Sequence, residues 1–392
     1  MKRLVWILAI LILTPPAWAA KKITVQQLTD LLASLQQVKK SDADTAAELN
    51  QVELTEELTR NTMDSLASSI PGPISTQQLY ILEARSAVLA PPPADLPSTP
   101  APDAAAQKAL LDKALGFAAS TYAQLPHLTA TKTTFRFQDN LKPPERADLS
   151  KVPDKVWTDA RMDKGSPFIS YIGANESKAE SQNGAEIVSS VKDSTRWGAN
   201  GQIISVGTGP VLSAILQDAQ AAGKLNWLRW ETVNGRQAAV FAFAVDKKKS
   251  HYSVNYCCFP NTDQTGETGN RGAQGGGIFS TSKGNMQINT SWSPYKETPP
   301  YHGEIFIDSG TGIIVRLVVL GDFKPSDVIL QEDTRIDYGP VKVADKPMVL
   351  PVRAIINTNV VPTGQDSVRM FSTRRTLFTI EYKDYQSAGP AN

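Results

Sequence analysis

Histidine and cysteine are scarce in this chain: three His and two Cys among 392 residues, with the two Cys adjacent at 257 and 258. His127, His251 and His302 stand far apart, and none belongs to a His-x-x-x-His or Cys-x-x-Cys arrangement, so the usual zinc signatures are missing and no metal is expected. A Gly-x-Ser-x-Gly elbow and a Walker phosphate loop are missing as well, which leaves no marked hydrolase or nucleotide site, and no cofactor is expected. Charge of one sign is lacking too. Lys plus Arg number 40 against 39 Asp plus Glu, and no basic run exceeds Lys247 to Lys249, so nothing marks a surface for nucleic acid or an anionic membrane. Beyond residue 19 no apolar run approaches the roughly 20 residues that cross a bilayer, so no transmembrane segment is expected in the mature chain.

Apolar residues make up 41% of the chain, enough to offset the ordering entropy of a real core and to exclude a mostly disordered protein. At the start, Lys2 and Arg3 precede an apolar run from Leu4 to Leu13, followed by Pro15, Pro16, Ala17, Trp18 and Ala19. This order of charge, apolar run and small residues reads as a cleavable signal peptide over 1–19, with Ala20 as the mature start and a periplasmic or secreted destination. Its removal leaves 38 basic against 39 acidic residues.

From Val25 to Leu89 the apolar residues keep a helical period. Leu28, Leu31, Leu32, Leu35 and Val38 form one stripe, and Leu49, Val52, Leu58, Leu66 and Ile70 a second run that Pro71, Gly72 and Pro73 end. A third helix is expected to start at Ser75 as its cap, with Leu79, Leu82, Ser86 and Leu89 along one side. Residues 20–90 therefore read as a small helical unit whose stripes pack together or grip a protein partner. Six prolines between Pro91 and Pro102 mark 91–102 as an extended linker. Asp103 then caps a helix from Ala104 to about Ala123.

After Pro126 the period becomes two. Thr131, Thr133, Phe135 and Phe137 alternate with Lys132, Thr134, Arg136 and Gln138, which predicts a half-buried strand. Further strands are expected at Phe168–Gly173, Ala185–Ser190, Ala239–Val245, Tyr252–Cys258, Met286–Trp292, Glu304–Asp308, Ile313–Leu320, Thr334–Tyr338, Val352–Thr358 and Val368–Tyr382. Turn signals at Asn234-Gly235 and Ser309 to Gly312 join neighbours closely enough to force antiparallel pairing. One helix interrupts the series, Val211 to Ala222, stopped by Gly223. The fold class is thus α+β: a small helical unit, then over 103–387 a helix and a curved antiparallel sheet covered by helices.

This order of elements, with the hairpin Glu304-Ile-Phe-Ile-Asp-Ser-Gly-Thr-Gly-Ile-Ile-Val-Arg316, resembles the LolA-like periplasmic lipoprotein-carrier superfamily over about Ala104 to Tyr385. The segments Asp337-Tyr-Gly-Pro-Val-Lys-Val and Leu350-Pro-Val-Arg353 are also similar to those of secreted bacterial proteins of unknown function. The resemblance implies a half-barrel whose concave face is covered by helices, with a lipid, lipoprotein or other apolar ligand held between them. Phe117, Leu212, Ile215 and Leu216 would then line the pocket from the helix side. The same four residues are ordinary core in a structural or interaction protein with a filled face.

The enzyme alternative rests on Asp308, whose Ile-Phe-Ile-Asp-Ser-Gly-Thr-Gly context is similar to the catalytic turn of aspartic proteases. That chemistry needs two carboxylates sharing a proton, and the chain has one such segment, so it would require a dimer. A hairpin turn accounts for the same residues. Cys257 and Cys258 read either as a strained redox or soft-metal pair or as a buried and an exposed strand residue. Trp197, Trp227, Trp230 and Trp292 line a groove or anchor the sheet. Gly207 to Pro210 and the loop Gly266 to Gly277 are weak candidates for anion binding. The expected protein is non-enzymatic.

Overall fold

A computed structural model describes residues 20–122, 125, 127–138, 169–182, 185–187, 212–223, 225–260, 279–282, 285–288, 292–324, 329–360 and 375–388. The expected signal peptide, Trp197, Gly207 to Pro210 and Gly266 to Gly277 lie outside them. The fold is α+β. An N-terminal helical unit precedes an open antiparallel sheet of ten strands, and six α-helices are present among the described residues.

In the helical unit, α1 (Val25–Gln37) starts at Thr24, whose hydroxyl accepts from the Gln27 amide while the Gln27 side chain returns to the Thr24 amide. This reciprocal cap fixes the first turn. The buried stripe Leu28, Leu32 and Leu35 faces α2 (Asp42–Asn50), α3 (Arg60–Leu66) and α4 (Pro73–Ser86), and its core holds Leu28, Leu32, Leu49, Leu58, Leu79 and Leu82. The second apolar run, from Leu49 to Ile70, spans several elements. Val52–Leu54 forms strand β2, parallel to β1 (Lys21–Ile23), and Thr59 caps the short α3. Ser75 is likewise not the cap of α4. Proline at the first helical position starts that helix two residues earlier, and the cap comes from Asp42 on α2. Its Oδ2 accepts from the Ile74 amide at 3.0 Å and its Oδ1 from the Ser75 amide at 2.8 Å. A Cβ on Gly72 would meet Asp42 Oδ2 at 2.5 Å, so glycine is what lets the carboxylate approach.

The sheet contains β3 (Leu128–Gln138), β4 (Ser170–Gln182), β5 (Ala185–Ile187), β6 (Asn226–Val233), β7 (Arg236–Val245), β12 (Tyr301–Asp308), β13 (Ile314–Gly321), β14 (Ile329–Val343), β15 (Lys346–Val360) and β16 (Arg375–Ser387). Its spatial order is β5-β4-β3-β16-β15-β14-β13-β12-β7-β6, antiparallel throughout, with β5 and β6 as edges, so it does not close into a barrel. Outside it, β8 (Val254–Pro260) pairs with β11 (Trp292–Glu297), and β9 (Phe279–Ser282) with β10 (Asn285–Ile288). The single strand expected over Met286 to Trp292 is therefore two, in separate pairs.

One face of the sheet carries Phe241, Tyr301, Ile305, Leu317, Ile336 and Ile380, and packs against α5 (Ala104–Tyr122) and α6 (Leu212–Ala222). Asp103 caps α5, accepting from the Ala106 amide at 2.8 Å, and Gly223 ends α6 at φ +68°. The opposite face meets the helical unit, where Ile81, Ala84 and Ala87 of α4 and its end pack on Phe137, Ile355 and Leu377. The side of β3 that reads as polar, Lys132, Thr134 and Arg136, is buried on the α5 and α6 face rather than in water. Lys132 stacks on the Tyr382 ring and Arg136 on that of Phe378, so their long stems cover aromatic surface.

Candidate functional site

Four arginines stand on the sheet face that meets the helical unit: Arg229 on β6, Arg316 on β13, Arg335 on β14 and Arg353 on β15. Strand periodicity puts each beside an acid on the same face. Arg335 and Asp337 are two apart on β14, Arg229 and Glu231 two apart on β6, and Arg316 is paired across strands with Asp337.

The contacts form a continuous chain. Glu57, in the loop after β2, accepts from Arg335 Nη1 at 2.6 Å. Arg335 Nε reaches both oxygens of Asp337 at 3.2 Å, and Arg316 Nε donates to Asp337 Oδ1 at 2.7 Å. Arg316 Nη1 then donates to Glu231 at 3.3 Å, Arg229 to Glu231 at 2.7 Å, and Arg229 to both oxygens of Glu304 at 2.8 and 2.9 Å. Separately, Arg353 grips Glu83 of α4 through two bonds of 2.7 Å, and Arg335 donates to the Ala87 carbonyl at 3.0 Å. Two-pronged guanidinium–carboxylate pairs fix geometry as well as charge.

Burial opposes ionisation of Asp337, but Arg316 and Arg335 together hold its carboxyl well below the usual range. Burial would also lower Arg335, yet Asp337 and Glu57 raise it instead. Glu231 is pushed up by burial, only partly offset by Arg229 and Arg316. Such a network is costly to leave incomplete, because removing one partner strands a buried charge.

Two cavities open along this seam. A cleft of about 450 Å³ is lined by Glu57, Glu83, Arg316, Arg335, Asp337 and Arg353, with exposed Arg60, Asn61 and Asp95 at its rim. A smaller cavity, about 260 Å³, lies between α4 and the ends of β14, β15 and β16.

The residues read from sequence as ligand-binding are brought together elsewhere. Leu212, Ile215 and Leu216 are 4%, 1% and 4% exposed and, with partly buried Phe117, belong to the core between α5, α6 and the sheet. None of the four lines either seam cavity. Asp308 closes the β12–β13 hairpin: its Oδ1 accepts from the Gly310 amide at 3.0 Å, the Thr311 amide at 2.7 Å and the Thr311 hydroxyl at 2.9 Å. Burial opposes its charge, but those bonds and Arg236 keep its pKa low. Trp227 packs edge-on against Trp230 at 4.9 Å and Phe241 at 5.6 Å, which fits an anchor of the sheet. Cys257 and Cys258 lie on β8, and their side chains, like that of Trp292, lie outside the described residues.

His251 pairs with Asp218 at 2.6 Å and His302 with Asp322 at 2.8 Å, whereas His127 stands 3.8 Å from Glu180 and its ring nitrogens have no hydrogen-bond partner. Among the described residues no three His, Cys, Asp or Glu side chains are grouped to hold a metal ion. Nor, among them, is any helix long and apolar enough to cross a membrane. Sequence reasoning passed over Glu57, Arg229, Arg316 and Arg335. The available signal was charged residues set inside apolar strands, as in Thr334-Arg-Ile-Asp-Tyr338. Comparison of the chain with protein-family models, curated proteins and solved structures finds no match.

Proposed function

We propose that this chain is an exported, non-enzymatic binding protein that takes a polar or charged ligand in the seam between its helical unit and its sheet. The observation that carries the reading is the cleft of about 450 Å³ framed by Glu57, Glu83, Arg316, Arg335, Asp337 and Arg353. Its volume falls within the roughly 300 to 1,000 Å³ of ligand sites, and its charged groups are held in place by one another. The apolar ligand implied by the carrier resemblance would have to enter between α5, α6 and the sheet. There Leu212, Ile215 and Leu216 already pack as core, which favours the seam.

The test is a thermal-shift and calorimetric panel on purified protein: acidic peptides, basic peptides and a fatty-acid probe. Saturable, salt-sensitive binding of a charged probe, weakened by Arg60→Ala at the rim, supports the seam. Saturable binding of the fatty acid alone, weakened by Phe117→Ala, would return the site to the α5 and α6 side.

A further inference from the structure

The salt-bridge chain of the seam is continuous, yet three of its polar ends go unused. Arg316 donates through Nε to Asp337 and through Nη1 to Glu231. Arg335 donates through Nε to Asp337 and through Nη1 to Glu57 and the Ala87 carbonyl. The Glu57 side chain accepts at Oε1 alone. Among the described residues, the Nη2 groups of both arginines and Oε2 of Glu57 therefore have no hydrogen-bond partner within the protein. Arg316, Arg335 and Glu57 are 7%, 5% and 6% exposed, and all three line the cleft of about 450 Å³. Polar groups set so deep are almost always satisfied, and where they border a cavity a ligand can supply the partner.

The three unused ends lie close together. Glu57 Oε1 is 2.6 Å from Arg335 Nη1 and 3.8 Å from Arg316 Nη1, and each unused atom is the other terminus of one of these planar groups. The two arginines also share Asp337 Oδ1, at 2.7 and 3.2 Å, so their guanidiniums converge. Converging guanidiniums call for a negatively charged acceptor, and a carboxylate matches their fork. The Glu57 oxygen beside them calls for a positively charged donor. A bare anion would be repelled by Glu57, and a bare cation would leave both Nη2 groups unfilled. One molecule with an anionic acceptor and a cationic donor a few atoms apart satisfies all three.

We infer that the cleft binds a free α-amino acid, its carboxylate on Nη2 of Arg316 and Arg335 and its ammonium on Oε2 of Glu57. A free amino acid fits better than a peptide, because each added residue moves the two charged ends apart by up to about 3.5 Å. The mouth of the cleft, with exposed Arg60, Asn61 and Asp95, suits a polar side chain. The inference rests on the seam being the binding surface and names its ligand class.

Calorimetry on the purified wild-type protein tests it with L-glutamine, with glutaramate, which is glutamine without its ammonium, with L-glutaminamide, which lacks the carboxylate, and with inorganic phosphate. Glutamine should bind saturably, and each of the other three should bind more weakly by roughly tenfold or more. Glu57→Gln should erase the preference for glutamine over glutaramate. The ligand series is read on the unaltered chain, so the result stands even if the variant folds poorly. No binding of glutamine, equal binding of glutaramate, glutaminamide or phosphate, or a preference kept in a folded Glu57→Gln protein would overturn the inference. If glutamine fails while a charged peptide still binds with dependence on Arg60, the inference falls and the reading of the seam as a binding site survives; if neither binds, both fall.

Discussion

Arg335 and Glu57 stand 278 positions apart in the sequence, yet the guanidinium Nη1 lies 2.6 Å from the carboxylate Oε1. Glu57 belongs to the helical unit and Arg335 to the middle of the sheet, so this bond, like Arg353 to Glu83 and Arg335 to the Ala87 carbonyl, joins the two layers across the cleft.

Because both groups are buried, Glu57→Ala should lower the unfolding free energy by about 3 to 5 kcal/mol, the usual cost of stranding one member of a buried pair. Adding Arg335→Met to the same protein should recover part of that loss. Urea unfolding of the two single variants and the double gives the coupling, and additive losses would show that the bond does not join the layers.

The pH dependence of stability should slope downward through the neutral range. Burial, with Asp333 adding to it, raises Glu332 from 4.5 to about 7, against the bonds from Tyr252 and Thr334. Burial also raises Asp333 from 3.8 to about 6, opposed by Gln331 and His302. The folded state therefore holds more protons than the unfolded chain between those values, and its stability falls as pH rises toward 7. Asp337, held low by Arg316 and Arg335, acts oppositely: its contribution is present above about 4 and lost as pH falls further. Urea midpoints from pH 4.5 to 8 should decline, and Glu332→Gln should flatten the decline; a flat wild-type profile would contradict it.

Gly303 on β12 is a position where one methyl group is too much. A Cβ there would collide with the Val318 carbonyl oxygen on β13 and the Phe243 ring. A backbone carbonyl in a paired strand has nowhere to go, so Gly303→Ala should cost at least the 1 to 3 kcal/mol typical of overpacking. A thermal melt within one degree of wild type would refute this.

Asp308→Ala should loosen the β12–β13 turn by about 1 to 2 kcal/mol, since three short bonds to the turn disappear while their donors regain water. Hydrogen exchange at Gly310 and Thr311 should accelerate. A peptidase activity that vanished in Asp308→Asn, in a dimer, would instead revive the enzyme alternative.

Local periodicity made much of this architecture readable. Asn234 and Gly235 turn β6 into β7 with φ of +49° and +75°, as their residue types require, and Gly223 ends α6 in the same region of backbone space. The chemistry of the seam was hidden for a physical reason. Alternation in a strand reports that neighbouring side chains face opposite ways, and it treats the polar side as wet. Here Arg335 and Asp337 face the helical unit, while Lys132 and Arg136 lie against aromatic rings, so both polar rows are buried. The cap of α4 was illegible for a related reason, because Asp42 serves it from another helix.

The position of β16 in the sheet carries a consequence for how the protein is made. Among the described residues it is the last strand in sequence, yet it sits between β15 and β3, and among them β3 reaches the strands β6 to β15 of this sheet only through it. Gln138 pairs with Ser170 on β4, but its partner on the other side, Thr376, comes much later, so β3, β4 and β5 can join the rest of the ladder only once β16 has been made. Contacts of such long range close slowly. β16 is thus the strand that closes the gap, pairing with β15 on one side and β3 on the other, and joins the β3–β5 group to the rest of the sheet.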